Sequence, residues 1–128
     1  MKKYILYIAG LMCCMPACTQ NITVSLDAID TKNNIAYLHG TITPFTDKAV
    51  AHFPNGNPSI EMNYVNGKET GWNKQWYANG NLKNETEMLE GKINGKWIDY
   101  YGNGQKEADI TYENDYMNRP CICYYPNG

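Results

Sequence analysis

Histidine and serine are scarce in this 128-residue chain, which has two of each: His39 and His52, Ser25 and Ser59. None stands in a nucleophile or metal-ligand motif, and a lone histidine in a strand is ordinarily a surface or edge residue. Catalysis is therefore not expected, nor is a cofactor or a metal. A basic excess is missing too. Lys and Arg number 11 against 13 Asp and Glu, interspersed, for a net charge of −2. Binding a polyanion calls for a basic patch, so nucleic acid is excluded as a partner. Phenylalanine is short as well, 2 residues against 11 Tyr and 3 Trp. Aromatics that carry a polar atom suit half-exposed sheet faces better than a dry core.

What is present falls into a leader and a repeat. Lys2 and Lys3 are followed by an apolar run from Tyr4 to Met15 and then by Pro16-Ala17-Cys18. This is the build of an export signal over residues 1–17, too short for a comfortable transmembrane span. The junction Met15-Pro16-Ala17-Cys18-Thr19-Gln20 resembles a bacterial lipoprotein signal, in which a small residue precedes a cysteine that becomes lipidated. The resemblance implies lipidation at Cys18 and contact with a membrane through that anchor only, at the outer or another envelope membrane. A periplasmic or secreted protein is the alternative. Cys13 and Cys14 would leave with the leader, so Cys121 and Cys123 remain beside Cys18. At i and i+2 of an expected strand the last two are poorly placed to bridge each other, and buried small residues or one partner for another molecule are the readings favoured.

Four stretches share one shape: Phe53-Pro54-Asn55-Gly56, Tyr77-Ala78-Asn79-Gly80, Tyr101-Gly102-Asn103-Gly104 and Tyr125-Pro126-Asn127-Gly128, each 24 residues after the last. A fixed period of this size marks stacked supersecondary units. After each motif the chain alternates by two, as in Ile60, Met62 and Tyr64 around Glu61 and Asn63, and in Ala108, Ile110 and Tyr112 around Asp109 and Thr111. Asn84, Thr86 and Met88 follow the pattern more weakly. Such alternation predicts strands with one buried face. A second turn falls midway, at Asn66-Gly67 and Glu90-Gly91, with Gly71 and Gly95 shortly after. Return strands are expected over Trp72–Tyr77, Lys96–Tyr101 and Pro120–Tyr125. Gly56, Gly67, Gly80, Gly91 and Gly104 are the expected structural turns, with Asn-Gly serving because both residues accept positive φ. Asn114-Asp115 stands where the third unit needs the same turn, and a looser hairpin is expected there. Thr43–His52 reads as half of a degenerate earlier unit, after a strand Ile22–Ile29, a turn Asn33-Asn34 and a return Ile35–Leu38.

The aromatic-x-Asn-Gly motif, the alternating strand, Asn-Gly-Lys, a glycine and an aromatic-rich strand together resemble the variant MORN repeat of bacteria. Tyr37 and Pro44-Phe45-Thr46 are similar to the lead-in of YwqK-type toxin–antitoxin antitoxins. The resemblance implies an all-β chain of tandem antiparallel β-hairpin repeats in an elongated, twisted sheet. Residues 18–36 form a linker and N-terminal hairpin, and residues 37–128 the repeat domain. It also implies a non-catalytic module that binds a protein, a toxin being the partner the antitoxin label names.

Candidate binding residues follow from repeat positions. Trp76, Tyr100 and Tyr124 share one position and Tyr77, Tyr101 and Tyr125 the next, which predicts two aromatic ladders on opposite faces, either for binding or for stacking within the sheet. Trp72 and Trp97 join this candidate surface. Glu61, Glu85 and Asp109 also share a position, either as an acidic stripe for a basic partner or as a solvated face relieved by Lys83, Lys92, Lys96 or Lys106. Thr70-Gly71-Trp72-Asn73-Lys74-Gln75-Trp76-Tyr77 is similar to choline-binding cell-wall repeats, so a glycan-binding module is the alternative function. The edge ending in Cys121-Ile122-Cys123-Tyr124-Tyr125 is expected to invite self-association or a partner strand.

Overall fold

A computed structural model describes residues 22–126; the leader and Cys18 lie outside the described residues. The strands are β1 (Thr23–Ser25), β2 (Ile29–Lys32), β3 (Ile35–Leu38), β4 (Asp47–His52), β5 (Pro58–Val65), β6 (Lys68–Glu69), β7 (Gly71–Trp76), β8 (Leu82–Leu89), β9 (Lys92–Tyr100), β10 (Lys106–Glu113), β11 (Tyr116–Met117) and β12 (Ile122–Cys123). One open sheet runs in the order β1-β4-β5-β7-β8-β9-β10-β11, with β6 on β5 and β12 on β10, while β2 and β3 form a separate hairpin. Every pairing is antiparallel except β1 with β4. The all-β array of hairpin repeats expected from the period is the fold observed.

Two expected strands are shorter than the alternation suggests. Ile22–Ile29 splits into β1, a 3₁₀ turn over Leu26–Ala28 and the start of β2. The turn is needed because β1 pairs with β4 and β2 with β3, in different sheets. Pro120–Tyr125 contracts to β12. In the two preceding units Gly71 and Gly95 hold φ of 96° and 128° where the third has Arg119, and Pro120 has no N–H for the ladder.

The two turn types work by different chemistry. At Asn66-Gly67, Glu90-Gly91 and Asn114-Asp115 both residues have positive φ, with values of 49° and 77°, 50° and 82°, and 49° and 69°. These are the tight primed turns that match strand twist. Asn114-Asp115 therefore forms the same turn as the others and not a looser one. Asp115 adds its own bond, accepting Ile93 N–H at Oδ1 over 2.7 Å. At the aromatic-x-Asn-Gly motifs only the glycine is left-handed, Gly56, Gly80 and Gly104 having φ of 87°, 90° and 87°. Positive φ is thus not the reason for asparagine there. The Asn55, Asn79 and Asn103 carboxamides accept the backbone N–H two residues on, at 2.9–3.0 Å. This is the Asx turn, in which a side chain stands in for backbone.

The units are stitched together at both ends. On one side Asn55 and Asn57 both donate to Ala78 O, and Asn79 and Asn81 both donate to Gly102 O. Tyr77 Oη donates to Tyr100 O at 2.9 Å and Tyr101 Oη to Tyr124 O at 2.8 Å. On the other side the turn amides of Gly67, Gly91 and Asp115 donate to the carbonyls of Phe45, Glu69 and Ile93 one unit earlier. The preceding amides of Asn66, Glu90 and Asn114 reach the side-chain oxygens of Thr46, Thr70 and Asn94.

Apolar burial is concentrated at one end. Ala36, Phe45, Ala49 and Tyr64 are buried and pack with Val24, Leu26, Ile29, Leu38 and Met62. Phe45 and Tyr64 meet edge-on with centroids 5.8 Å apart. This core joins the β2–β3 hairpin to the first unit, and β3 itself runs through position 37. Beyond it the units form a single layer, in which the buried side chains among the described residues are Asn84 and Thr86.

Asp47 occupies the slot that Gly71 and Gly95 fill in later units, at φ 125°, a conformation L side chains rarely adopt. Asp47→Gly is expected to raise stability by about 1 kcal/mol, because relief of strain exceeds the added freedom of the unfolded chain. A rise in the thermal midpoint checks this; a fall contradicts it.

Candidate functional site

Residues directly opposite in an antiparallel ladder point to the same face. One row therefore runs across the sheet through Val50, Glu61, Lys74, Glu85, Ile98, Asp109 and Ile122. Alternation along β7 and β9 adds Trp72, Trp76, Lys96 and Tyr100 to this face. Of the sequence-derived candidates, Trp72, Trp76, Tyr100, Glu61, Glu85 and Asp109 are thus brought together.

The others lie elsewhere. Trp97 is on the opposite face, 6.2 Å from the Tyr112 ring, with Nε1 donating to Asp99 Oδ2 at 2.8 Å. The hydroxyls of Tyr77 and Tyr101 are engaged by the next unit's carbonyls, as described, and Lys83 sits 5.8 Å over the Tyr77 ring. Tyr124 and Tyr125 follow β12, both exposed. The rings in mutual contact among the described residues are Phe45–Tyr64 and Trp97–Tyr112, so tyrosine-to-carbonyl hydrogen bonds, and not stacked rings, link the Tyr77 and Tyr101 positions to their neighbours.

Each carboxylate of the row holds a lysine. Lys48 lies 2.9 Å from Glu61, Lys74 3.2 Å from Glu85, and Lys96 2.7 Å and Lys106 3.3 Å from Asp109. Lys96 and Lys106 were among the relieving charges expected, while Lys48 and Lys74 serve the other two. The Lys96 hydrogen bond holds the Asp109 carboxyl below the ordinary carboxylate range against its partial burial, with Lys106 assisting. Partly exposed pairs of this kind contribute at most about 1 kcal/mol each. Their main effect is to fix side-chain positions and cancel the stripe's charge. Tyr100 Oη donates to Glu85 Oε2 at 2.9 Å, tying an aromatic to the charged row.

Two segments of the chain, residues 70–89 and 93–114, match the family model of the MORN repeat variant. These are MORN-type repeats. They cover β7 through the turn after β10, the single-layer part of the sheet. No curated protein and no solved structure matches the chain.

The opposite face of the MORN-type units carries a cleft of about 200 Å³ between Ile60 and Met62 on one side and Met88, Ile93 and Trp97 on the other. Its floor is a polar network. Asn84 Nδ2 donates to Asp99 Oδ1 at 2.8 Å and to Ile98 O at 3.3 Å, and Thr86 Oγ1 donates to Asn84 Oδ1 at 2.7 Å. Every polar group in it is satisfied by a neighbour, which is the condition for burying asparagine at a core-facing position. Nothing in residue type alone marks Asn84, Thr86 and Asp99 as one network; the signal available was their core-facing parity in the repeat.

Tyr64 is pushed up to about 12 by burial and the nearby Glu69 charge, and Tyr100 to about 12 by burial, its bond to Glu85 and the charges of Glu85 and Asp109. Both phenols are held protonated by the folded state. Their contribution is complete below the ordinary value of 10.0 and is lost as pH rises from there toward 12. Alkaline titration followed by phenolate absorbance is expected to show at least these two tyrosines ionising last, together with loss of β circular dichroism. Uniform titration of all tyrosines near 10 with the fold intact would contradict this.

Proposed function

We propose that this chain is a non-catalytic protein-interaction module, and that the Trp72, Trp76 and Tyr100 face of its MORN-type repeats is the surface that binds. One observation carries the reading: the repeats form a single layer, so this face has no covering element among the described residues, and Trp72 is 37% exposed on it. Aromatics that are rigidly placed yet uncovered supply contact area at little entropic cost. The ion-paired row beside them is neutralised and held in place, which suits a protein surface of mixed polarity.

The lipoprotein-like leader supports the further reading that the module is exported and held at the envelope through lipidated Cys18. There its partner would be an exported or incoming protein, a toxin being the kind the antitoxin resemblance suggests. Intact mass of the membrane-fraction protein tests the anchor. Cleavage before Cys18 with added acyl chains, lost in Cys18→Ala, is the expected result; an uncleaved, unacylated chain would overturn it.

The binding face is tested by photo-crosslinking residues placed singly at Trp72, Trp76 and, on the other face, Trp97. Adducts to a common protein from the first two positions and not the third are expected. Adducts only from Trp97 would move the site to the cleft side. Tryptophan quenching by sugar or choline without any protein adduct would favour the glycan-binding alternative.

A second contact is favoured by a separate observation. Tyr116, Met117, Ile122, Tyr124 and Tyr125 are all exposed on or beside the short outer strands of β10. Short edge strands with exposed apolar side chains template pairing with another chain, here a second copy. Concentration-dependent mass by light scattering, abolished by Ile122→Lys, is the expected outcome, and a strict monomer at high concentration under reducing conditions the contrary one.

A further inference from the structure

Cys121 and Cys123 are both exposed, and they are the free cysteines among the described residues. Their Sγ atoms are 2.9 Å apart. The expectations of burial and of poor placement for mutual contact both fail. Pro120 and Arg119 interrupt the return strand, so Cys121 lies just outside β12 and is free of ladder geometry that would hold the two thiols apart.

We infer that Cys121 and Cys123 form a dithiol site that reacts with small disulfides such as glutathione disulfide and closes to an intramolecular disulfide within the outer strand. The hydrogen bond to Cys123 is the main reason that the Cys121 thiol is pushed above its ordinary value, with burial and neighbouring negative charge adding to it. Cys121 thus keeps its proton and Cys123 attacks first. In the first step the Cys123 thiolate forms a bond to one sulfur of glutathione disulfide, the S–S bond of the reagent breaks, and one glutathione thiolate leaves and is protonated. In the second, Cys121 loses its proton and attacks the Cys123 sulfur, expelling the second glutathione. The two cysteines are oxidised by two electrons and one glutathione disulfide is reduced to two thiols.

Closure acts on the sheet edge. Residues i and i+2 of an extended strand are about 6.6 Å apart, near the upper limit of about 6.8 Å for bridged Cα atoms. The disulfide shortens this stretch and pulls against two ties to β10: the Cys123 register with Ala108, and the Tyr124 N–H bond to Glu107 O of 2.8 Å. The oxidised edge is therefore looser than the reduced one, and exposed disulfides under such constraint are readily reversed.

The test incubates the full chain in glutathione buffers of graded redox poise, followed by acid quench, alkylation and tryptic mass mapping. Cleavage after Lys106 and resistance of the Arg119–Pro120 bond place both cysteines in the peptide Glu107–Gly128, apart from Cys13, Cys14 and Cys18. In oxidising buffer that peptide is expected two hydrogens lighter and unalkylated, in a fraction independent of protein concentration and fully reversed by reduced glutathione. Cys121→Ser and Cys123→Ser are each expected to stop at one glutathione adduct, which forms faster in Cys121→Ser. Persistent alkylation of both cysteines at every poise, two glutathione adducts on the wild-type peptide, or an interchain cross-link as the main product would each overturn the inference.

Discussion

Gly67→Ala destabilises the protein by about 3 kcal/mol or more, whereas Gly91→Ala, at the same turn position one unit later, costs about 1–2 kcal/mol. Both glycines are left-handed, at φ 77° and 82°, so the backbone penalty is shared. The surroundings differ. A Cβ on Gly91 meets open space, while one on Gly67 meets the Ile35 side chain and, at 2.8 Å, the Ala36 carbonyl oxygen. Ile35 can rotate, but Ala36 cannot withdraw freely. Its N–H donates to Gly67 O at 2.8 Å, its carbonyl accepts Phe45 N–H at 2.8 Å, and Gly67 N–H donates to Phe45 O at 2.7 Å. This closed set of bonds docks the β2–β3 hairpin onto the array, so the clash is transmitted to the one apolar core. Denaturant midpoints for the two variants check it, and equal losses would show that the docking seen at Gly67 contributes nothing.

Asn84→Asp is expected to cost about 2–4 kcal/mol near neutral pH and much less in acid. The substitution replaces the amide that donates to Asp99 Oδ1 with an oxygen, so two carboxylates face each other where a hydrogen bond of 2.8 Å stood. Ile98 O loses its donor from the same side chain. On acidification one carboxyl takes up a proton and donates in place of the amide. The folded-state pKa of that pair is raised, so the recovered stability is present at low pH and lost as pH rises through it. Unfolding of variant and wild type at about pH 7 and about pH 4 measures the difference. A deficit that does not shrink in acid would contradict the role given to Asn84.

The period of 24 residues located every hairpin of the repeats, because the aromatic-x-Asn-Gly motif and the midway turn are local signals. Why asparagine recurs was not legible from turn propensity. Its side chain makes the Asx turn and, in Asn55 and Asn79, also crosses to the next unit, a relation between residues 23 apart. Thr46, Thr70 and Asn94 share a repeat position yet look like ordinary strand-flanking polar residues; their work appears only when the next unit's turn is placed over them. The weak alternation of Asn84 and Thr86 has a physical cause of the same kind. They are buried because Asp99 and Ile98 satisfy them, not because they are apolar. The parallel β1–β4 pair and the docked hairpin depend on tertiary packing that no local pattern encodes. Facing of the candidate site was readable for Trp72, Trp76, Tyr100 and the acidic row from parity alone. The lysine partners Lys48 and Lys74 needed the register.

The central claim is that the sheet is an array whose units are interchangeable through contacts repeated every 24 residues. Deleting residues 78–101 removes one unit and joins Tyr77 to Gly102-Asn103-Gly104, bringing the Asn114 and Asp115 amides to Thr70 and the Glu69 carbonyl in place of Asn94 and Ile93. Deleting residues 80–101 instead leaves the spacing two residues out of step. Thermal unfolding followed by circular dichroism is predicted to show a cooperative β-sheet transition for the first deletion, at a somewhat lower midpoint than the full chain, and a non-cooperative or absent one for the second. Equal loss of structure in both would contradict the array.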